Sequence, residues 1–215
     1  MKKGSFLIAL GVLLILGALG LTGYNLWDSH RAGAASQEVL AVIKAQIEET
    51  AAAQNGDPDV GEAVEAAESE LSIGELYPDR EMPAFEINGC RYIGYLSVPS
   101  TGLELPIMEE WDYSRLRIAP CRYDGSVYQD DLVLAGHNYR SHFSPLKYLD
   151  VGTEIDFTDA DGIVWRYQIA YSETLQPTQV DDLLDAEAAE CDLTLFTCNT
   201  GGRTRCVIRC VRMED

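Results

Sequence analysis

The stretch CDLTLFTCNTGGRTRCVIRCV, residues 191–211, decides how the rest of the chain is read. It holds two β-type runs, CDLTLFTC and TRCVIRCV, joined by a turn through Gly201 and Gly202. Alternation along the second run puts Arg205, Val207, Arg209 and Val211 on one face and Cys206, Ile208 and Cys210 on the other. The short turn makes the Cys198 run the neighbour of the Arg205 run. Cys198 is then either a reactive thiol beside a cation or a small residue packed at a strand end. Read by itself, a cysteine closing an apolar run is more plainly a packed residue.

Working outward, the β texture begins near Met82. FEINGCRYIGYLSV carries Asn88-Gly89, a two-residue hairpin signal. LELPIM, DLVLAG, TEIDFTD and IVWRYQIAY follow, with Asp161-Gly162 marking a second hairpin. VDDLLDAEAAE, residues 180–190, reads as a short helix or helical turn. Seven or eight short strands in roughly 130 residues predict a mainly β domain, a closed barrel or a sandwich, over residues 81–215.

Nothing of this kind precedes residue 81. Gly4 to Trp27 contains no charged residue, and its centre, FLIALGVLLILGALGL, is long enough to cross a hydrocarbon core of about 30 Å as a helix. Lys2 and Lys3 favour a cytoplasmic N-terminus and an outward-facing remainder, with Tyr24 and Trp27 at the outer interface. A cleaved signal peptide is the rival reading, with small residues at 32–36, although these lie far beyond the apolar core. Residues 28–80 form an acidic helical stalk or linker. Within it Val39, Leu40, Ile43 and Ile47 share one helical face, Ser36 is an expected N-cap, and the turn residues 55–59 are an expected stop. A weaker Ala- and Glu-rich helical pattern continues to Leu71.

The formal charge of −19 argues against nucleic-acid binding, which needs a basic face. Six cysteines in an exported chain permit disulfides, but spacing does not settle their pairing. Cys206 and Cys210 lie about 13 Å apart along one strand and cannot bridge each other.

Cysteine catalysis needs a thiolate, a proton carrier and a donor for the developing oxyanion. Three histidines are available. His30 falls at the membrane edge, and His142, in YRSHFSPL, reads as a surface or turn residue. His137 follows the β-type run LVLAG and so stands at a strand end, where rigid scaffolds present catalytic groups. Zinc binding is a poor fit, because paired ligands of the C-x2-C type are missing. Papain-like order and the caspase signature are also absent.

Taken together, these segments resemble the sortases, the cell-surface transpeptidases of Gram-positive bacteria. TLFTC followed by an arginine opening the next strand is similar to the sortase T-L-x-T-C…R signature, and LAGHN to the segment bearing the sortase histidine. YIGYLSVPSTGLELPIM (92–108) and HFSPLKYLDVGTEIDFTD (142–159) extend the resemblance to about residues 77–213. It implies a sortase-type closed β-barrel of seven to eight strands with short helices, preceded by a transmembrane helix and a helical stalk. It implies Cys198 as nucleophile, His137 as general acid/base and Arg205 as oxyanion donor, with Arg203 a bystander and no metal or organic cofactor. The compact turn leans toward class B-like or class D-like relatives. The implied partners are the sorting-signal peptide of secreted surface proteins and an amine acceptor of peptidoglycan or pilin, met by a single-pass enzyme whose catalytic domain is extracellular. The competing expectation is a tethered β-domain that binds an envelope partner without catalysis.

Overall fold

In the computed structural model, residues 2–54 and 80–213 are described. Helix α1 (Lys2–Gln54) runs without interruption through both the apolar segment and the first part of the acidic one. Its N-terminal portion is exposed all round, Leu7, Leu14 and Leu21 being 65%, 64% and 64% accessible. It is the one helix among the described residues long and apolar enough to cross a membrane. Ser36 does not cap a second helix. It lies inside α1, its hydroxyl buried and without a partner. The apolar face expected beyond it is present, since Val39 and Ile43 pack with Ile87, Tyr92, Met108 and Cys121, and Ile47 joins at the edge. The expected stop at 55–59 and the weaker helical pattern to Leu71 lie outside the described residues.

The β domain consists of β1 (Phe85–Ile87), β2 (Cys90–Val98), β3 (Leu103–Met108), β4 (Cys121–Asp124), β5 (Leu132–Ala135), β6 (Glu154–Asp159), β7 (Val164–Leu175), β8 (Leu193–Cys198) and β9 (Arg205–Arg212). The sheet runs β1-β2-β3-β4-β5-β8-β9-β7-β6, and pairing of β2 with β6 closes its last eight strands into a barrel. Both hairpin signals hold. Asn88 and Gly89 take φ of 52° and 75° between β1 and β2, and Asp161-Gly162 turns β6 into β7. Strand β4 has no counterpart among the sequence expectations. It is four residues long, holds β3 by a single bridge (Met108↔Cys121), and shifts register against β5, so no alternation betrays it.

Alternation sorts the strands into an inner and an outer face. Leu132, Leu134, Leu193, Leu195, Ile208 and Cys210 fill the barrel core. Val133 and Val207 point outward and meet Leu183 of α2 (Val180–Leu184), which with α3 (Ala186–Ala189) forms the β7–β8 connection. All six cysteines are free. Short 3-10 turns, η1 (Arg115–Arg117) and η2 (Pro145–Tyr148), complete the described elements.

His142 differs from its expected surface position. It is fully buried, both ring nitrogens lack hydrogen-bond partners among the described residues, and burial pushes its pKa down from 6.5 to about 4. The folded state holds it neutral while the unfolded chain binds a proton below about pH 6.5, so its contribution to stability is full above that pH and is lost as pH falls toward 4. Between pH 7 and 4.5 this is on the order of 2–3 kcal/mol. Denaturant melts of the protein and of His142→Leu at both pH values test it, the acid-induced loss being smaller in the variant by about that amount. Equal losses in the two would show that His142 is not held neutral.

Candidate active site

Three adjacent strands bring Cys198, His137 and Arg205 together from distant parts of the sequence. Strands β8 and β9 pair antiparallel, and their register sets Cys198 directly opposite Arg205. Strands β5 and β8 pair in parallel with Ala135 opposite Phe196, and the Gly136 N–H donates to the Phe196 carbonyl at 3.0 Å. One residue beyond that last rung is His137. A β-carbon at Gly136 would lie 2.2 Å from the Phe143 ring, so only glycine lets the chain pass from β5 into the His137 loop over this aromatic.

Cys198 belongs to the outer phase of β8, with Phe196, while Leu195 and Leu193 face the core. It is half-buried, neither sealed in the barrel nor fully exposed. The turn from Asn199 to Thr204 is tied by Asn199 N–H to the Thr204 carbonyl (2.9 Å) and Gly202 N–H to the Asn199 carbonyl (2.8 Å), with Gly201 and Gly202 at φ 87° and 71°. Arg205 donates from Nη1 to the Gly202 carbonyl at 3.2 Å and has no carboxylate partner among the described residues. Arg203 stands exposed on the same turn.

His137, Cys198 and Arg205 all line one cavity of about 280 Å³. Its walls are largely aromatic and aliphatic, with Trp111, Tyr123, Phe196, Leu175 and Leu183 prominent. Trp111 packs on Tyr123 and Tyr123 on Phe196, at centroid distances of 5.1 and 5.2 Å. Burial lowers the pKa of His137, partly countered by Asp28 and reinforced by Arg117. A neutral imidazole is therefore favoured at neutral pH. An apolar slot with a few polar groups at one end suits an extended peptide whose backbone carbonyl must reach a thiol.

One residue that supports the wall from behind was not singled out by sequence. Arg209 lies on the outer phase of β9 yet is 1% accessible. Its guanidinium donates to Glu173 Oε1 (2.9 Å), the Leu183 carbonyl (3.0 Å), Thr194 Oγ1 (2.9 Å) and the Asp182 carbonyl (2.7 Å). It thereby pins α2, and with it the cavity wall, to β7, β8 and β9. The only sequence signal was an arginine on the same face as Arg205.

A thiol, an imidazole and an unpaired guanidinium meeting at the rim of a closed barrel fit cysteine-based acyl transfer. Comparison with known proteins agrees. The sortase-domain model matches residues 96–213, and the chain belongs to the sortase family of cysteine transpeptidases. Among solved structures, sortase C from Streptococcus pneumoniae aligns over 83% of this chain and 97% of its own, with a TM-score of 0.53 and 18% identity. The sortase D5 transpeptidase of Clostridium perfringens aligns over 69% and 93% (TM-score 0.50, 19% identity), and sortase C1 of Streptococcus agalactiae over 68% and 79% (0.50, 22%). At these identities the likeness establishes a shared fold. No curated protein matches the chain by sequence.

Removing the Arg209 guanidinium leaves the buried Leu183 carbonyl, the Asp182 carbonyl, a threonine hydroxyl and a carboxylate without this donor. Arg209→Met should therefore cost at least about 2 kcal/mol. Hydrogen exchange should rise first in residues 176–190. Unchanged exchange there, with unchanged stability, would contradict the pinning role.

Proposed function

We propose that this sortase is a membrane-anchored transpeptidase that cleaves an LPxTG-like C-terminal sorting signal and transfers the acyl group to an amine of the cell wall or of a pilin. The observation that carries this reading is the convergence of Cys198, His137 and Arg205 on one largely apolar cavity. In the proposed reaction the neutral His137 imidazole takes the proton of the Cys198 thiol, and the resulting thiolate attacks the scissile carbonyl carbon and forms a tetrahedral oxyanion. Among the described residues the Arg205 guanidinium is held through Nη1 alone, by the Gly202 and Thr204 carbonyls, and keeps its other N–H groups for that oxygen. His137 protonates the departing amine as the carbon–nitrogen bond breaks, which leaves a thioester on Cys198. The incoming amine attacks the thioester carbonyl and gives up a proton to His137. Collapse then restores the thiolate and releases the new amide.

The apolar helix at the N-terminus supports the anchoring part of the proposal, with Lys2 and Lys3 inside and the barrel outside. Tethering places enzyme and membrane-bound substrate on one surface, which raises their effective concentration without any added contact.

The full chain in detergent, given a Leu-Pro-x-Thr-Gly fluorogenic peptide and an amine donor, tests the assignment. Cys198→Ala should abolish transfer while the domain still melts cooperatively. Arg205→Lys should lose about a hundredfold in kcat/KM, because a point charge does not reproduce the guanidinium fork. Arg203→Lys should stay near wild type. Were Arg203→Lys the more damaged, the oxyanion role would belong to Arg203.

A further inference from the structure

Neither ring nitrogen of His137 is hydrogen-bonded to any described residue, so no carboxylate or carbonyl orients the imidazole in the usual way of a third catalytic group. The ring is held by its face instead. Tyr139 stacks on it with centroids 4.1 Å apart and planes 4° from parallel. The Tyr139 hydroxyl in turn donates to Asp28 Oδ2 at 2.5 Å. Asp28 belongs to α1, just beyond its apolar segment, and is 6% accessible. Its other oxygen accepts from Arg31 (3.1 Å) and from Arg117 of η1 (3.3 Å).

The rest of the helix surface here is fitted to the same loop. Ser141 Oγ donates to the Ser29 carbonyl at 2.9 Å, and a β-carbon on Gly33 would come within 2.9 Å of Ser141 Cβ. Thr22, Asn25, Leu26 and Ser29 form one side of a depression whose other side includes His137 and Cys198. The anchor helix is thus a wall of the catalytic centre and not only a tether.

We propose that Asp28 and Tyr139 are positioning residues for His137, so that the anchor helix sets the plane of the catalytic imidazole through the Asp28–Tyr139 hydrogen bond and the Tyr139–His137 stack. This rests on the sortase reading of Cys198 and His137. The phenol suits the role because burial, with the Asp28 contact, pushes its pKa up and keeps it a donor. The charged and titratable groups around His137 are Asp28 and Arg117 from the packed elements, Tyr139, Arg140 and His142 from its own loop, Cys198 and Arg205 on β8 and β9, and Lys147, which bonds the adjacent Asn138. Of these, Asp28 raises the His137 pKa and Arg117 lowers it. Neutralising Asp28 removes the raising partner and leaves Arg117 in place.

Steady-state kinetics of the full chain in nanodiscs, with the Leu-Pro-x-Thr-Gly peptide and an amine donor, together with NMR titration of the His137 imidazole, provide the test. Tyr139→Phe keeps the stack and loses the link. It should lower kcat about tenfold with KM nearly unchanged. Asp28→Asn should do the same and move the His137 titration to lower pH. The double variant should be no worse than the poorer single one, because both substitutions cut one connection. Lys44→Ala, which breaks the α1 contact with Glu104 away from the site, should leave kcat unaltered. Wild-type kcat in Tyr139→Phe and Asp28→Asn, with Cys198→Ala inactive, would overturn this inference alone. So would multiplying effects in the double variant, or an equal loss in Lys44→Ala. Undiminished transfer by Cys198→Ala would overturn the sortase reading and this inference with it.

Discussion

The parallel ladder between β5 and β8 is the constraint on which the site depends. Its final rung, Gly136 N–H to the Phe196 carbonyl, places His137 beside Cys198 although 60 residues separate them in sequence. Parallel neighbours cannot be joined by a hairpin and require a long crossover. Here that crossover carries η2, β6, β7, α2 and α3. The same chain that closes the barrel through β6 and β2 therefore also builds the wall of the cavity. A slip of one residue in this ladder would turn Cys198 into the core and Thr197 outward. With Leu193 and Leu195 fully buried among the core residues, such a slip exposes several leucine-sized side chains at about 1.5–3 kcal/mol each.

The barrel spends its inner face on packing and leaves Cys198 and Arg205, the groups of the proposed reaction, on its outer face. That choice creates a second problem, because an outer face open to water gives a weak electrostatic environment for acyl transfer. Two covers solve it. The β7–β8 connection lies over Val133 and Val207, pinned by Arg209, and α1 closes the side nearest His137. Arg209 is buried at a desolvation cost that only full hydrogen bonding can offset, and its bonds to Glu173, Asp182, Leu183 and Thr194 reach the elements that shape the cavity.

Much of this was legible in residues 191–211 and the runs before them. The alternation of β9 placed Arg205 and Arg209 on one face, and the Gly-Gly turn made Cys198 the neighbour of Arg205, because both follow from a period of two. Asn88-Gly89 and Asp161-Gly162 announced their hairpins through backbone chemistry that few other residues tolerate. What escaped depends on partners remote in sequence. His142 looks polar and loop-like, and nothing in the surrounding pattern tells that it is fully buried, with its ring against Tyr139. Strand β4 has too few residues to show a period. Ser36 carries a good capping side chain, yet no break in helical propensity precedes it, and packing of Ala32, Val39 and Ile43 on the barrel carries α1 straight through. The Asp28–Tyr139 contact joins residues 111 positions apart and has no local signature.

The charge balance sharpens the case for Arg205. The chain holds 35 acidic residues against 16 basic ones, so a cation on its surface has no shortage of partners. Arg31, Arg91, Arg115, Arg117, Arg209 and Arg212 are all ion-paired. Arg205, like Arg122, Arg140 and Arg203, has no carboxylate partner among the described residues, although it is less exposed than Arg203 beside it. Its surroundings account for this. The cavity around it is walled by aromatic and aliphatic groups, with Gln176 and Gln179 in place of acids along the nearest connecting segment. A carboxylate there would compete with a developing oxyanion for the same N–H groups and would repel a thiolate at Cys198. Keeping acids away leaves the guanidinium available at the one place where negative charge forms during the proposed reaction.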